Sequence, residues 1–140
     1  MIVVDAGLIV AFFSKHGLTA DAEAAMEKDP EWIAPGLWKA EVRNVFAKRH
    51  RLEKAMTAKQ ARDAYADALL LLGNQTGDID HSEAMGLTLR FGISGYDAEY
   101  LALAEEKELL LVSTDERLVN HLQSHRVQTA VHLKEFIGGK

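Results

Sequence analysis

The chain has no cysteine among its 140 residues, which excludes both a disulfide framework and a thiolate metal site. A small chain without such staples suits a reducing compartment. Prolines are scarce, two against ten glycines, and no low-complexity tract or linker interrupts the sequence, so a single domain over residues 1–140 with one core is expected. No long hydrophobic run is present either. Met1 to Val4 carry no basic flank and the apolar stretch breaks at Asp5, far short of a signal or membrane-spanning segment. A cytoplasmic protein with no membrane association is expected. Positive charge is in deficit: 16 Lys and Arg against 21 Asp and Glu leave a net charge of −5, so an overall field cannot hold nucleic acid and any such contact must be local. Acids that converge in space would instead call for a bound cation.

What the sequence does contain alternates between short apolar runs and helical periodicity. Ile2-Val3-Val4 reads as a buried strand that leaves Asp5 at its tip, and Leu8 to Phe13 starts a first helix. Thr19 is the expected N-cap of a second helix, with Ala22, Ala25 and Met26 on one face and Pro30 beyond its end. Trp32 to Ala34 makes a very short strand. Pro35 suits the first turn of the next helix, whose stripe of Leu37, Trp38, Val42, Val45 and Phe46 runs to the basic end Lys48-Arg49-His50-Arg51. Thr57 and Gln60 have capping-box spacing and open a helix that stops at Gly73. Ser82 starts another, ended by Gly92, and Ser94 or Gly95 caps the one that follows. Leu109 to Val112 is a strand, Ser113-Thr114-Asp115 leads into a short helix through Leu122, and Val127 to Val131 and Leu133 to Ile137 give a last strand and a closing helical turn. Strands alternating with helices imply parallel pairing through right-handed crossovers, hence an α/β/α sandwich around a mostly parallel sheet of four to five strands. Such sheets bind ligands at the carboxyl edge of the strands.

Four acids fall where that edge would gather them. Asp5 ends the first strand and Asp115 follows the strand at Leu109 to Val112. Each has the alternative use of capping the helix after it. Asp97 lies in the first turn of its helix, where the macrodipole favours a carboxylate with or without a ligand. Glu41 is expected in mid-helix at the border of the apolar face, where pairing with Lys39 or Arg43 is poor because residues two apart do not face each other. Two carboxylates about 4 Å apart repel by about 4 kcal/mol at an effective dielectric near 20, so four together must protonate, spread apart or bind a cation. Oxygen-only donors suit Mg²⁺ or Mn²⁺, which commonly take one or two carboxylates directly while the other acids hold bound waters.

The stretches Val3-Val4-Asp5-Ala6, Ala40-Glu41-Val42, Ser94-Gly95-Tyr96-Asp97-Ala98 with Tyr100 to Ala104, and Leu111-Val112-Ser113-Thr114-Asp115 resemble, in order and spacing, the motifs of the PIN-domain family. The similarity covers essentially the whole chain. It implies a ribonuclease in which Asp5, Glu41, Asp97 and Asp115 line an Mg²⁺ or Mn²⁺ site, with Ser113 or Thr114 supporting it. The length resembles VapC-type toxins in particular, which implies an RNA substrate, a homodimer and inhibition by a cognate antitoxin that inserts a segment into the acidic groove. Gly7 departs from the pattern: the family usually has a small polar residue after Asp-Ala.

Other residues carry weaker signals. The basic cluster from Lys48 to Arg51, with Lys54 nearby, either contacts RNA phosphates or simply complements a helix C-terminus. Lys39, Arg43 and Lys15 lie closer in sequence to the acids. His121 and His125 share an i,i+4 spacing without a third ligand, which does not make a zinc site. The Tyr and Leu positions after Asp97 read as core. A non-cleaving binding module whose acidic groove receives a basic peptide is the alternative to the enzyme. A phosphoacceptor receiver domain is disfavoured, because it wants adjacent acids after the first strand and this chain has Asp5 followed by Ala6-Gly7.

Overall fold

The computed structural model describes residues 1–14 and 17–138. Its elements run β1 (Ile2–Val4), α1 (Ala6–Ser14), α2 (Thr19–Lys28), β2 (Trp32–Pro35), α3 (Trp38–Arg51), α4 (Ala58–Leu72), β3 (Thr76–Gly77), α5 (His81–Phe91), α6 (Gly95–Lys107), β4 (Leu111–Ser113), α7 (Glu116–Ser124), β5 (Ala130–His132) and α8 (Leu133–Gly138). The five strands form one sheet in the order β3-β2-β1-β4-β5, and every neighbouring pair is parallel.

That order decides where a site can form. The chain steps outward from β1 to β2 to β3, then returns to the other side of β1 for β4 and β5, so the direction reverses between β1 and β4. Right-handed crossovers then place α1 to α4 on one face and α5 to α7 on the other. The packing agrees, since α1 meets α2, α3 and α4, whereas α6 lies against β1, β2 and β4. Val3, Val4, Trp38, Leu101, Leu103 and Val112 are fully buried between these layers. Removing a large side chain from such a core costs about 2–5 kcal/mol, so this packing is what holds the sheet edge in place.

Several boundaries differ from the sequence expectations. Thr19 is the first residue of α2 rather than its cap; Leu18 takes the cap position, and the Thr19 hydroxyl donates instead to the Ala11 carbonyl. Pro35 closes β2 rather than opening α3, standing beyond the last register pair with β1, Val3↔Ile33, so its missing N–H breaks no bond of that ladder. Asp80, not Ser82, starts α5, its Oδ1 accepting from the Ser82 and Glu83 amides. β4 and β5 are shorter than their apolar runs, because pairing ends where the register does. The two-residue strand β3 was not anticipated. Its Gly77 packs closely: a Cβ there would lie 2.7 Å from Leu103 Cδ1, so a larger residue would have to shift that buried side chain. The Thr57–Gln60 capping box and the Ser94 cap form as the sequence predicts.

Candidate active site

The register Val3↔Leu111 and Val4↔Val112 sets Asp5 level with Ser113 at the reversal point of the sheet. Ser113 is fully buried, and its hydroxyl donates to Asp5 Oδ2 at 2.5 Å while accepting the Asp115 amide at 2.9 Å. One hydroxyl thereby links two of the acids. Asp5 Oδ2 also accepts from the Thr114 amide at 3.2 Å, and Oδ1 accepts from the Leu8 amide at 2.9 Å. Asp5 thus caps α1 and faces the sheet edge at once. Burial pushes its carboxyl up to about 6 against the lowering effect of those three hydrogen bonds, and the Asp97 charge adds to the rise.

Glu41 is in the first turn of α3, not in mid-helix, because Pro35 ends a strand and the helix begins only at Trp38. Its partner is Tyr100, whose hydroxyl donates to Glu41 Oε1 at 2.6 Å. Burial raises the Glu41 carboxyl, the Tyr100 bond opposes this, and the charges of Asp97 and Glu99 add to it. Asp97 stands in the first turn of α6, where its amide donates to Ser94 Oγ at 3.0 Å. Its carboxyl is raised by burial, lowered by Ser94 and raised again by Asp115. Asp115 is exposed, and its Oδ1 accepts the Leu118 amide at 3.1 Å as the cap of α7.

The four acids therefore share one electrostatic neighbourhood. Asp97 occupies its centre, since its charge acts on Asp5 and Glu41 and it responds to Asp115. Among the described residues, no three His, Asp or Glu side chains converge closely enough to hold one ion by direct contact. The donor set is nevertheless all oxygen, partly desolvated and short of positive charge. That chemistry fits a hard divalent cation that keeps much of its water, as Mg²⁺ does.

Tyr100 belongs to the buried core, as the sequence reading assigned it, and the contact of its hydroxyl with Glu41 was not anticipated. It is buried, yet its hydroxyl reaches across 59 positions of sequence to fix Glu41. The available signal was its i,i+3 spacing from Asp97, which puts both on one side of α6. Glu99, partly exposed and acting on Glu41, is a further acid outside the expected set.

The remaining candidates are placed elsewhere. Lys48 to Arg51 occupy the last turn of α3, roughly 10–15 Å along the helix from Glu41 at 1.5 Å per residue. Arg49 donates to Ser14 Oγ and lines a cavity of about 470 Å³ that contains none of the four acids. Arg43 donates to Tyr65 Oη, and that hydroxyl donates to the Lys39 carbonyl. Lys15 lies outside the described residues. The His121 and His125 rings are 4.6 Å apart, but each bonds a backbone carbonyl, Phe91 O and His121 O respectively.

The fold is thus a parallel α/β sheet with Asp5 and Ser113 hydrogen-bonded at its reversal point and three further acids at nearby helix starts. The PIN domain family model matches residues 2–121. The chain belongs to the PIN domain family, whose members are generally metal-dependent nucleases and generally bind divalent ions. The crystal structure of PAE2754 from Pyrobaculum aerophilum is similar in fold, with a TM-score of 0.74 at 19% identity, over 98% of this chain and 92% of that one. No curated protein matches the sequence. Among the described residues, no helix is long and apolar enough to cross a membrane.

Proposed function

We propose that this protein is a metal-dependent endoribonuclease and the toxin of an antitoxin pair, with Asp5, Glu41, Asp97 and Asp115 as the residues that hold Mg²⁺ or Mn²⁺. The observation that carries the reading is that Asp5, Glu41 and Asp97 are each raised chiefly by burial, with the Asp97 charge adding to the rise of Asp5 and Glu41, the Asp115 charge to that of Asp97, and no basic side chain among the causes. Carboxyls held that way favour a cation over a second anion. When bound, the ion neutralises charge on the phosphodiester and makes an attacking water easier to deprotonate. The chain's own part is positional: Ser113 ties Asp5 to the start of α7, Tyr100 orients Glu41, and Ser94 sets the turn that presents Asp97.

RNA is the substrate this reading selects, a basic antitoxin segment the inhibitor of the acidic groove, and a homodimer the working assembly. All three are what the motif resemblance implies, and the net charge of −5 supports only the basic partner. Purified protein should cleave single-stranded RNA with Mg²⁺ or Mn²⁺ and lose that activity when a chelator is added. Asp97→Asn should reduce cleavage by about a hundredfold or more, as expected when a group acting on transition-state charge is lost. An Asp97→Asn variant that cuts as fast as the parent protein would remove the basis of the assignment. A non-cleaving module would bind a basic peptide without measurable affinity for either ion.

A further inference from the structure

Tyr96 is the second residue of α6 and directly precedes Asp97. Only residues 108–110 separate the end of α6 from β4, so the helix runs antiparallel to the strands and its first turn stands at their carboxyl edge, beside the acids. Helix periodicity then fixes the side. Position 96 lies one turn above Tyr100 on the same face, and the Tyr100 hydroxyl donates to Glu41 Oε1. The Tyr96 side chain therefore projects at the rim between the first turns of α6 and α3. It is 63% exposed, and among the described residues it makes no hydrogen bond, ion pair or ring contact. The site beside it is short of positive charge, and a chain of net charge −5 repels a strand that carries a phosphate on every nucleotide. Such a strand must gain affinity from groups other than its phosphates. Base–aromatic stacking is one such contribution: it tolerates any sequence, because every base has a π-face, and it needs a base that is free of a duplex.

We propose that Tyr96 is a substrate-binding residue, a platform on which one unpaired base stacks while the neighbouring phosphodiester lies over Asp97 and Glu41. The proposal rests on the ribonuclease reading above, and adds to it what holds the strand and why the strand must be single. A tyrosine has only two side-chain torsions, so the stack forms at small entropic cost. The ring acts on a base and not on the phosphodiester that is cut, so its contact is the same in the bound substrate and in the transition state. It therefore lowers KM and leaves kcat alone.

The test compares steady-state cleavage of a mixed-sequence single-stranded RNA by the full chain and its variants, with anisotropy of the same labelled strand measured in the slowly cleaving Asp97→Asn background. Tyr96→Ala should raise KM and weaken binding about tenfold, within the range for loss of one base stack, with kcat changed by less than about twofold. That loss should be equal at low and high salt, because stacking, unlike phosphate contact, releases no counterions. Tyr96→Phe should keep the parental KM. Tyr96→Trp should keep it too, and its added indole should lose emission when RNA binds, a change that Trp32 and Trp38 cannot mimic because both are fully buried. Melting temperatures should not fall, since the ring is exposed and Ala favours helix over Tyr. A parental KM in Tyr96→Ala, or a loss in Tyr96→Phe as large as that in Tyr96→Ala, overturns this proposal, while cleavage by the parent protein leaves the ribonuclease reading standing. A Tyr96→Ala variant that turns a dimer into a monomer by light scattering, with KM unchanged, makes the ring a contact between copies of the chain and overturns the proposal as well. A parent protein that neither cuts nor binds single-stranded RNA overturns both.

Discussion

Asp5 is the side chain whose environment has the clearest thermodynamic consequence. Its carboxyl rises from 3.8 to about 6 on folding, so between those values the folded chain holds a proton that the unfolded chain has released. The sign follows. This group favours folding at low pH, and its contribution is lost as pH rises through about 6, a change of ~3 kcal/mol at most. Glu41 and Asp97 are raised as well and act in the same direction. Denaturant unfolding of the metal-free protein at pH 4.5 and 7.5 should therefore show the parent losing more stability than Asp5→Asn over that interval; equal losses would refute the buried, partly charged picture of Asp5. Tyr100 provides the companion case. Tyr100→Phe removes the hydrogen bond that its hydroxyl gives to Glu41 and should cost about 1–2 kcal/mol in urea unfolding, with weaker metal-dependent cleavage. Unchanged values in both assays would reduce Tyr100 to packing.

Two helix starts do double duty, and the duties are separable. Asp115 caps α7 through Oδ1 and contributes charge to Asp97. Asn caps about as well as Asp, so Asp115→Asn should leave the melting temperature nearly unchanged while cleavage falls, whereas Asp115→Ala should lose both, with about 1 kcal/mol of stability gone. Matching cleavage rates for Asp115→Asn and the parent would leave Asp115 as a cap alone. Ser94 plays the corresponding part for α6, where the side chain that closes the first turn also sets the position of Asp97. α3 has no side-chain cap at all. The position of Glu41 thus depends on Tyr100 and on the packing of Trp38, whose Nε1–H donates to Thr76 Oγ1.

The molecule as a whole gathers like charges of Asp5, Glu41 and Asp97 in one neighbourhood. Partly buried like charges at the sheet edge are a cost that a bound cation relieves, so binding must stabilise the fold by linkage, about 2.7 kcal/mol at a hundred times the dissociation constant. Mn²⁺ or Mg²⁺ should raise the melting temperature of the parent protein in a concentration-dependent way, and Asp97→Asn should blunt that rise. A melting temperature indifferent to both ions would argue against any cation at this edge.

How much of this was legible in the amino acids alone differs between fold and site. Apolar runs and their periods predict nearly every element, and the alternation of strand and helix predicts the parallel sheet, because burial on both faces requires continuous β-branched strands such as Ile2-Val3-Val4. Element ends were less visible: Pro35 suits a helix start locally, but the ladder with β3 keeps it in the strand. Gly77 carries no strand signal, and only parallel pairing with Pro35 of β2 makes a strand there. Asp5, Asp97 and Asp115 could be named from positions at a strand tip, a first turn and a strand exit, which follow from local pattern, whereas Glu41 was read in mid-helix and the structure moves it to the first turn of α3. Their grouping could not be. The reversal between β1 and β4, the Ser113 bridge and the reach of Tyr100 to Glu41 all join residues at least 59 positions apart. Local chemistry determines which side chains are available, whereas distance through space, which sets both desolvation and mutual charge, exists only once the sheet has closed.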